Sequence, residues 1–285
     1  MTTQAVSLPA EPRPRVTAAA IGRWVGSRVL SVYAVLALLY LFLPIVVVIA
    51  FSFNNPRGRF NFTWEGFTWK NWTHPFAVPG IGSAIRISLE IAVLSSIAAT
   101  MLGTLMALAL IRYRIRGQGG LNMLVFLPMA TPEIVMGSSL LALFLNWSFI
   151  SLGFVTILIA HIMFNISYVV VTVRARLAGF DRHLEEAAHD LGANGWTTFR
   201  KVTLPLIAPG VLAANLLAFA LSIDDFVITY FNSGSTITFP LFVWGSARVA
   251  TPPQINVIGT MIFIVAVGGM LANIVVQNRR ARRAV

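Results

Sequence analysis

An all-α integral membrane protein with six transmembrane helices is the fold class this sequence predicts, and three observations carry it. The 285 residues are 57% hydrophobic and only 11% charged, less than half the roughly 25% charge of an average soluble domain. Six apolar stretches, at residues 29–53, 87–111, 121–145, 153–173, 207–231 and 256–276, each reach the about 20 residues that cross a hydrocarbon core. Runs this long are helices, because lipid offers unpaired backbone groups no partner. Basic residues gather in every second connection. The result is one membrane domain, 29–276, between tails at 1–28 and 277–285.

The elements follow in chain order. Residues 1–20, rich in Ala, Pro and Thr, read as a disordered tail. Arg13, Arg15, Arg23 and Arg28 precede an apolar run too long for a leader, with no small-residue cleavage site after it, so no cleavable signal peptide is expected. The connection 54–82 holds Phe60, Phe62, Trp64, Phe67, Trp69, Trp72 and Phe76. It suits an interfacial belt of amphipathic rings, or a docking or cation–π face. The third stretch carries Pro128 and Pro132. Each removes an N–H and frees the carbonyl four residues back, predicting a kink just before Glu133. His161, in the fourth, is expected as a bonded contact between helices rather than a ligand.

With the N-terminus in the cytoplasm, sixteen of the 21 Lys and Arg fall inside, as the positive-inside rule requires. They include Arg112, Arg114, Arg116, Arg174, Arg176, Arg182, Arg200, Lys201 and the arginines of the last tail. Both termini then lie in the cytoplasm. The net charge of +11 is a topology signal, not a sign of nucleic-acid binding. The absence of cysteine rules out disulfides and thiolate metal sites.

Acids at bilayer depth are costly and mark candidate pathways. Glu90, Glu133, Asp224 and Asp225 qualify, with no basic partner expected in the membrane. At about 1.5 Å per residue along straight helices, Glu133 lies about 18 Å and Asp224 about 25 Å above the inner ends of their spans. Glu90 sits near an outer end. The series predicts a path for a cationic solute. Adjacent helical residues point about 100° apart, so only one of Asp224 and Asp225 can aim squarely at a path. The other is expected to bond a neighbouring helix.

The polar interval 181–210 remains. Asp181 can cap a short helix with Leu184, Ala187, Ala188 and Leu191 on one face, and Gly192 can supply its left-handed end. Asn194 can cap a second helix carrying Trp196, Phe199 and Val202, with Pro205 as its stop. An apolar stripe on the water side needs a partner. Glu186-Ala187-Ala188, Gly192, then Val202 and Leu204-Pro205 resemble the EAA loop of ABC-importer permeases, with Val202 where Ile is more usual. Ser222-Ile223-Asp224-Asp225, Thr238-Phe239-Pro240-Leu241 and Thr131-Pro132-Glu133 resemble the spermidine/putrescine group of that family across residues 29–276.

The resemblance implies the ABC-importer permease fold with a cytoplasmic coupling helix pair. It also implies docking on an ATPase dimer through Glu186, Ala187, Ala188, Gly192, Leu204 and Pro205. A second, identical or homologous permease and an extracytoplasmic solute-binding protein would complete the importer. Polyamine contacts would fall on Asp224, Asp225 and Glu133. No cofactor is expected on this chain, with ATP and magnesium on the partner ATPase. The only lysines, Lys70 and Lys201, follow Trp69 and Arg200, so no Walker A Gly-Lys pair exists. No Gly-x-Ser-x-Gly elbow occurs. The histidines show no metal-ligand spacing beyond His183 and His189, six apart. A translocation subunit is thus expected rather than an enzyme. The alternatives are an ABC permease for another solute or a proton- or ion-coupled transporter.

Overall fold

The computed structural model describes residues 18–113, 116–147, 150–181 and 183–283. Arg13, Arg15, Arg114, Arg182 and the tail up to residue 17 lie outside the described residues. The helices are α1 (Ala18–Ser52), α2 (Lys70–Thr73), α3 (Ile81–Arg112), α4 (Gln118–Ala130), α5 (Glu133–Asn146), α6 (Phe154–Ala178), α7 (His183–Asp190), α8 (Gly195–Thr198), α9 (Leu204–Ile223), α10 (Val227–Asn232), α11 (Phe239–Val249) and α12 (Pro253–Arg283). A π-helical turn, Phe199–Thr203, joins α8 to α9. Residues 1–57, 61–73 and 253–285 form one unit, and residues 58–60 and 74–252 a second.

In the first unit α1 packs on α12. Helix α1 starts at Ala18, so residues 18–28, read from sequence as tail, are already helical. Helix α12 likewise continues to Arg283. Beyond α1 the aromatic connection folds back on Asn54, which is fully buried. Its Nδ2 donates to Asn61 Oδ1 and to the Thr63 carbonyl, each at 2.7 Å, and its Oδ1 accepts from the Glu65 N–H at 2.8 Å. Phe53 stacks on Phe67 (5.5 Å) and Trp72 (5.3 Å), with Trp69 edge-on at 5.0 Å. Trp72 Nε1 donates to Ser52 Oγ. Asn54 thus ties this connection together by hydrogen bonds, beside a stack of rings on Phe53, which composition alone did not reveal.

The second unit is organised on α3, α6 and α9. Ala99 and Ala107 of α3 bury against Val169, Val170 and Val173 of α6 and Ala214 and Ala218 of α9. Small side chains let the helix backbones approach. At Gly103 a Cβ would stand 2.7 Å from Val169 Cγ1, so only glycine permits that crossing. A second cluster joins Met136, Leu140 and Phe144 of α5 to Ala160 and Phe164 of α6 and Ile228 of α10.

Among the described residues five helices are long and apolar enough to cross a bilayer, and a sixth span exists if α4 and α5 count together. Those two are bent by 107° at Thr131 and Pro132. The expected kink is thus a full break, and a count along a straight helix no longer gives the depth of Glu133. The fifth span is also interrupted, between α9 and α10 at Asp224, Asp225 and Phe226. Near the start of α9 the opposite correction applies. Pro205 does not stop the second short helix, because the preceding π turn puts it in the first turn of α9, where the N–H that proline lacks is not needed.

Candidate functional site

Two places in the second unit gather the functional candidates. One is the interruption of the fifth span. Asp224 ends α9 and is exposed. The next residue, Asp225, turns inward, its side chain only 6% exposed, beside His161 of α6 at 3%. Asp225 Oδ2 lies 3.2 Å from His161 Nε2, accepts from Thr229 Oγ1 at 2.8 Å and accepts the Thr229 N–H at 2.8 Å. Its Oδ1 accepts the Ile228 N–H at 3.4 Å. The carboxylate thus caps the first turn of α10, where the helix dipole favours a negative charge.

The same residues extend into a chain of hydrogen bonds. His161 Nδ1 is 2.7 Å from Ser222 Oγ, and Ser222 Oγ is 2.9 Å from Ser95 Oγ of α3. A carboxylate only accepts, so Nε2 carries a proton on the side of Asp225. Four helices meet through this chain. Of the consecutive aspartates, Asp225 is bonded across helices and Asp224 is exposed. The reason is a break in the helix, not the 100° offset of one continuous helix.

Glu133 opens α5 just after the bend and is exposed. The helices that follow the two breaks pack together: at Gly137 of α5 a Cβ would meet Phe231 of α10 at 2.8 Å, and Asn232 Nδ2 donates to the Gly137 carbonyl. Glu90 stands apart from these acids. It pairs with Arg86 one turn earlier in α3 at 3.4 Å, a basic partner the sequence reading had not assigned.

The second place is the interval after α6. The predicted caps are present. Asp181 Oδ1 accepts the His183 N–H at 3.0 Å, Gly192 is left-handed at φ 82°, and Asn194 Oδ1 accepts the Thr197 N–H at 2.9 Å. The apolar stripe finds no cover within the described chain: Leu191 is 90% and Trp196 68% exposed. Ala187 is exposed and Ala188 half-buried, while Leu204 and Pro205 are exposed. Glu186 is exposed and bonded to His183 in its own helix at 3.1 Å. That bond, with the fields of Asp181 and Glu186, holds the His183 imidazole above its ordinary pKa. Glu185 instead accepts from Arg112 Nη2 and from Thr203 Oγ1. Sequence reading passed over Glu185, Arg112, Ser95, Ser222 and Thr229 as partners. Only the four-residue spacing of Asp225 and Thr229 offered a local signal.

Residues 99–283 match the family described as binding-protein-dependent transport system inner membrane component, and the chain belongs to that family. It is 38% identical over 264 residues to the spermidine/putrescine transport system permease protein PotC of Escherichia coli K12, covering 92% of this chain and 97% of PotC. The PotC protein of Haemophilus influenzae is 40% identical over 228 residues, covering 80% and 88%. The putrescine transport system permease protein PotI of E. coli K12 is 36% identical over 250 residues, covering 85% and 88%. In fold, the chain matches a bacterial ABC transporter that imports the acidic polysaccharide alginate, with TM-score 0.64, 16% identity and coverage of 91% and 96%. The chain is a multi-pass permease subunit of an ABC importer, a transport component and not an enzyme.

Proposed function

We propose that this permease carries polyamines of the spermidine and putrescine type into the cell. The observation that carries the reading is the identity to PotC along nearly the whole chain, joined to exposed carboxylates at two helix breaks. Broken helices at membrane depth are tolerated where they line a cavity or meet protein. Glu133 and Asp224 open onto such a path and meet the ammonium groups of the solute. Asp225 shapes the path by holding α10 in place. Glu90, already paired with Arg86, contributes less.

Both termini and α7 face the cytoplasm of a bacterial inner membrane. The apolar stripe of Leu184, Leu191 and Trp196 docks, with Glu186, Ala187, Ala188 and Gly192, on one subunit of an ATPase dimer that binds ATP and magnesium. Leu204 and Pro205 set where the continuous helix of α9 departs from that dock. A second permease, identical or homologous, completes the path, and an extracytoplasmic solute-binding protein delivers the cargo.

The test is uptake of labelled putrescine and spermidine by cells lacking other polyamine importers and carrying this permease with its genomic neighbours. Transport that requires the ATPase and is lost in Asp224→Asn and Glu133→Gln is the expected result. Unchanged uptake in both variants would refute the assignment of cargo to these acids. Uptake that follows the proton gradient and ignores the ATPase would replace the reading with a secondary transporter.

A further inference from the structure

Helix α7 must be tied to the spans if its movement is to reach them, yet none of its residues is buried. Its polar contacts differ in reach. The Glu186 carboxylate, 70% exposed, bonds within α7 and can pass no force to another element. The Glu185 carboxylate is 19% exposed and takes bonds from two directions. One is Arg112, the last residue of α3. The other is Thr203, fully buried at the end of the π turn that runs into α9. Arg112 Nη2 also donates to Thr203 Oγ1 at 3.1 Å, which closes a three-membered junction. Helices α3 and α9 both belong to the buried core of this unit.

Resting on the importer reading, we propose that the Arg112/Glu185/Thr203 junction is the link through which α7 moves the spans. Glu185, not the neighbouring Glu186, carries the load inside the chain. Two groups with one face each turned to this carboxylate make it a pivot. Displacing α7 pulls the end of α3 and the start of α9 together, and these lead into the core. Glu186 is left free for the partner. The π turn fits that placement, since such turns concentrate at functional positions in helices.

The test uses the assembled importer in vesicles and, separately, the permease in detergent. Arg112→Ala and Glu185→Gln should insert at the wild-type level and retain the ATPase on purification, while solute uptake falls about tenfold, within the usual range of coupling factors. The charge exchange R112E/E185R should recover uptake. Arg116→Ala, which removes an exposed positive charge nearby, should leave it unchanged. Because the chain has no cysteine, spin labels at Asp190→Cys and Met101→Cys report α7 against α3 alone, and their distance distribution should broaden in Glu185→Gln.

Normal uptake in both single variants would overturn the proposal. So would a charge exchange no better than either single variant, with the distance distribution unaltered in Glu185→Gln. A wild-type importer without ATP-driven uptake would sink the transport reading instead. The label distances, which need no partner, would still judge the link.

Discussion

Two pairs of consecutive acids, Asp224 with Asp225 just after α9 and Glu185 with Glu186 in α7, are treated alike by the fold. In each pair one carboxylate is drawn inward and bonded to other helices, while its neighbour is exposed. Asp225 joins His161 and the first turn of α10; Glu185 joins Arg112 and Thr203. Asp224 and Glu186 have no such ties among the described residues. The difference lies in burial. The Asp225 and His161 pair is almost wholly enclosed, whereas the Arg112 and Glu185 pair keeps some contact with its surroundings. An enclosed pair cannot lose one member cheaply, because the remaining charge has no water to turn to.

The largest effect should therefore come from His161→Leu, which strips a partner from Asp225. Loss of one member of a buried pair costs about 3–5 kcal/mol. The low end applies here, because the N–H and hydroxyl bonds from Thr229 remain. A lowered unfolding temperature in detergent is the expected outcome, and adding Asp225→Asn should return part of it by removing the stranded charge. Equal melting of wild type and His161→Leu would mean that Asp225 is not held as described.

At the other acid pair, Gly192→Leu should come next. Gly192 holds φ at 82° with no atom near its missing Cβ, so the substitution is limited by backbone strain and not by collision. A left-handed non-glycine residue costs roughly 1–2 kcal/mol. The strain should loosen the end of α7, slow transport and leave membrane insertion intact, measured as uptake against permease abundance. Asp224→Asn should be smaller still in stability, within about 0.5 kcal/mol as for an ordinary exposed site, while its effect on uptake is large. A melting temperature that falls as far as in His161→Leu would erase the distinction between Asp224 and Asp225.

Much of this was legible in sequence, and the parts that were not share a cause. Apolar runs announced the spans, and short-range chemistry at Asp181, Gly192 and Asn194 announced the caps, because each depends on residues within a turn. Pro132 announced a disturbance beside Glu133 but not its angle, which depends on what α5 packs against. The break at Asp225 carried no proline and no glycine. There a carboxylate bonds His161, 64 residues earlier, a partner that no local pattern marks. Glu185 is of the same kind, its partner Arg112 lying 73 residues earlier, while the partners of Asn54, Asn61 and Thr63, are nearer but fall outside any single turn.

The smallest effect separates Glu186 from Glu185. His183 is fully exposed, and its raised pKa comes first from the Glu186 hydrogen bond, then from the charges of Asp181 and Glu186. A histidine whose folded pKa exceeds its unfolded value favours the folded form below the unfolded pKa, and that advantage fades as pH rises through the folded value. Following the ring protons of His183 by NMR should show a midpoint above that of a free imidazole. Glu186→Gln should bring it back toward the ordinary value, while leaving the junction of Glu185 with Arg112 untouched. If Glu185→Gln moved the His183 midpoint as far as Glu186→Gln does, the two carboxylates would be acting on the same neighbours, and the division between an inward and an outward acid in α7 would not hold.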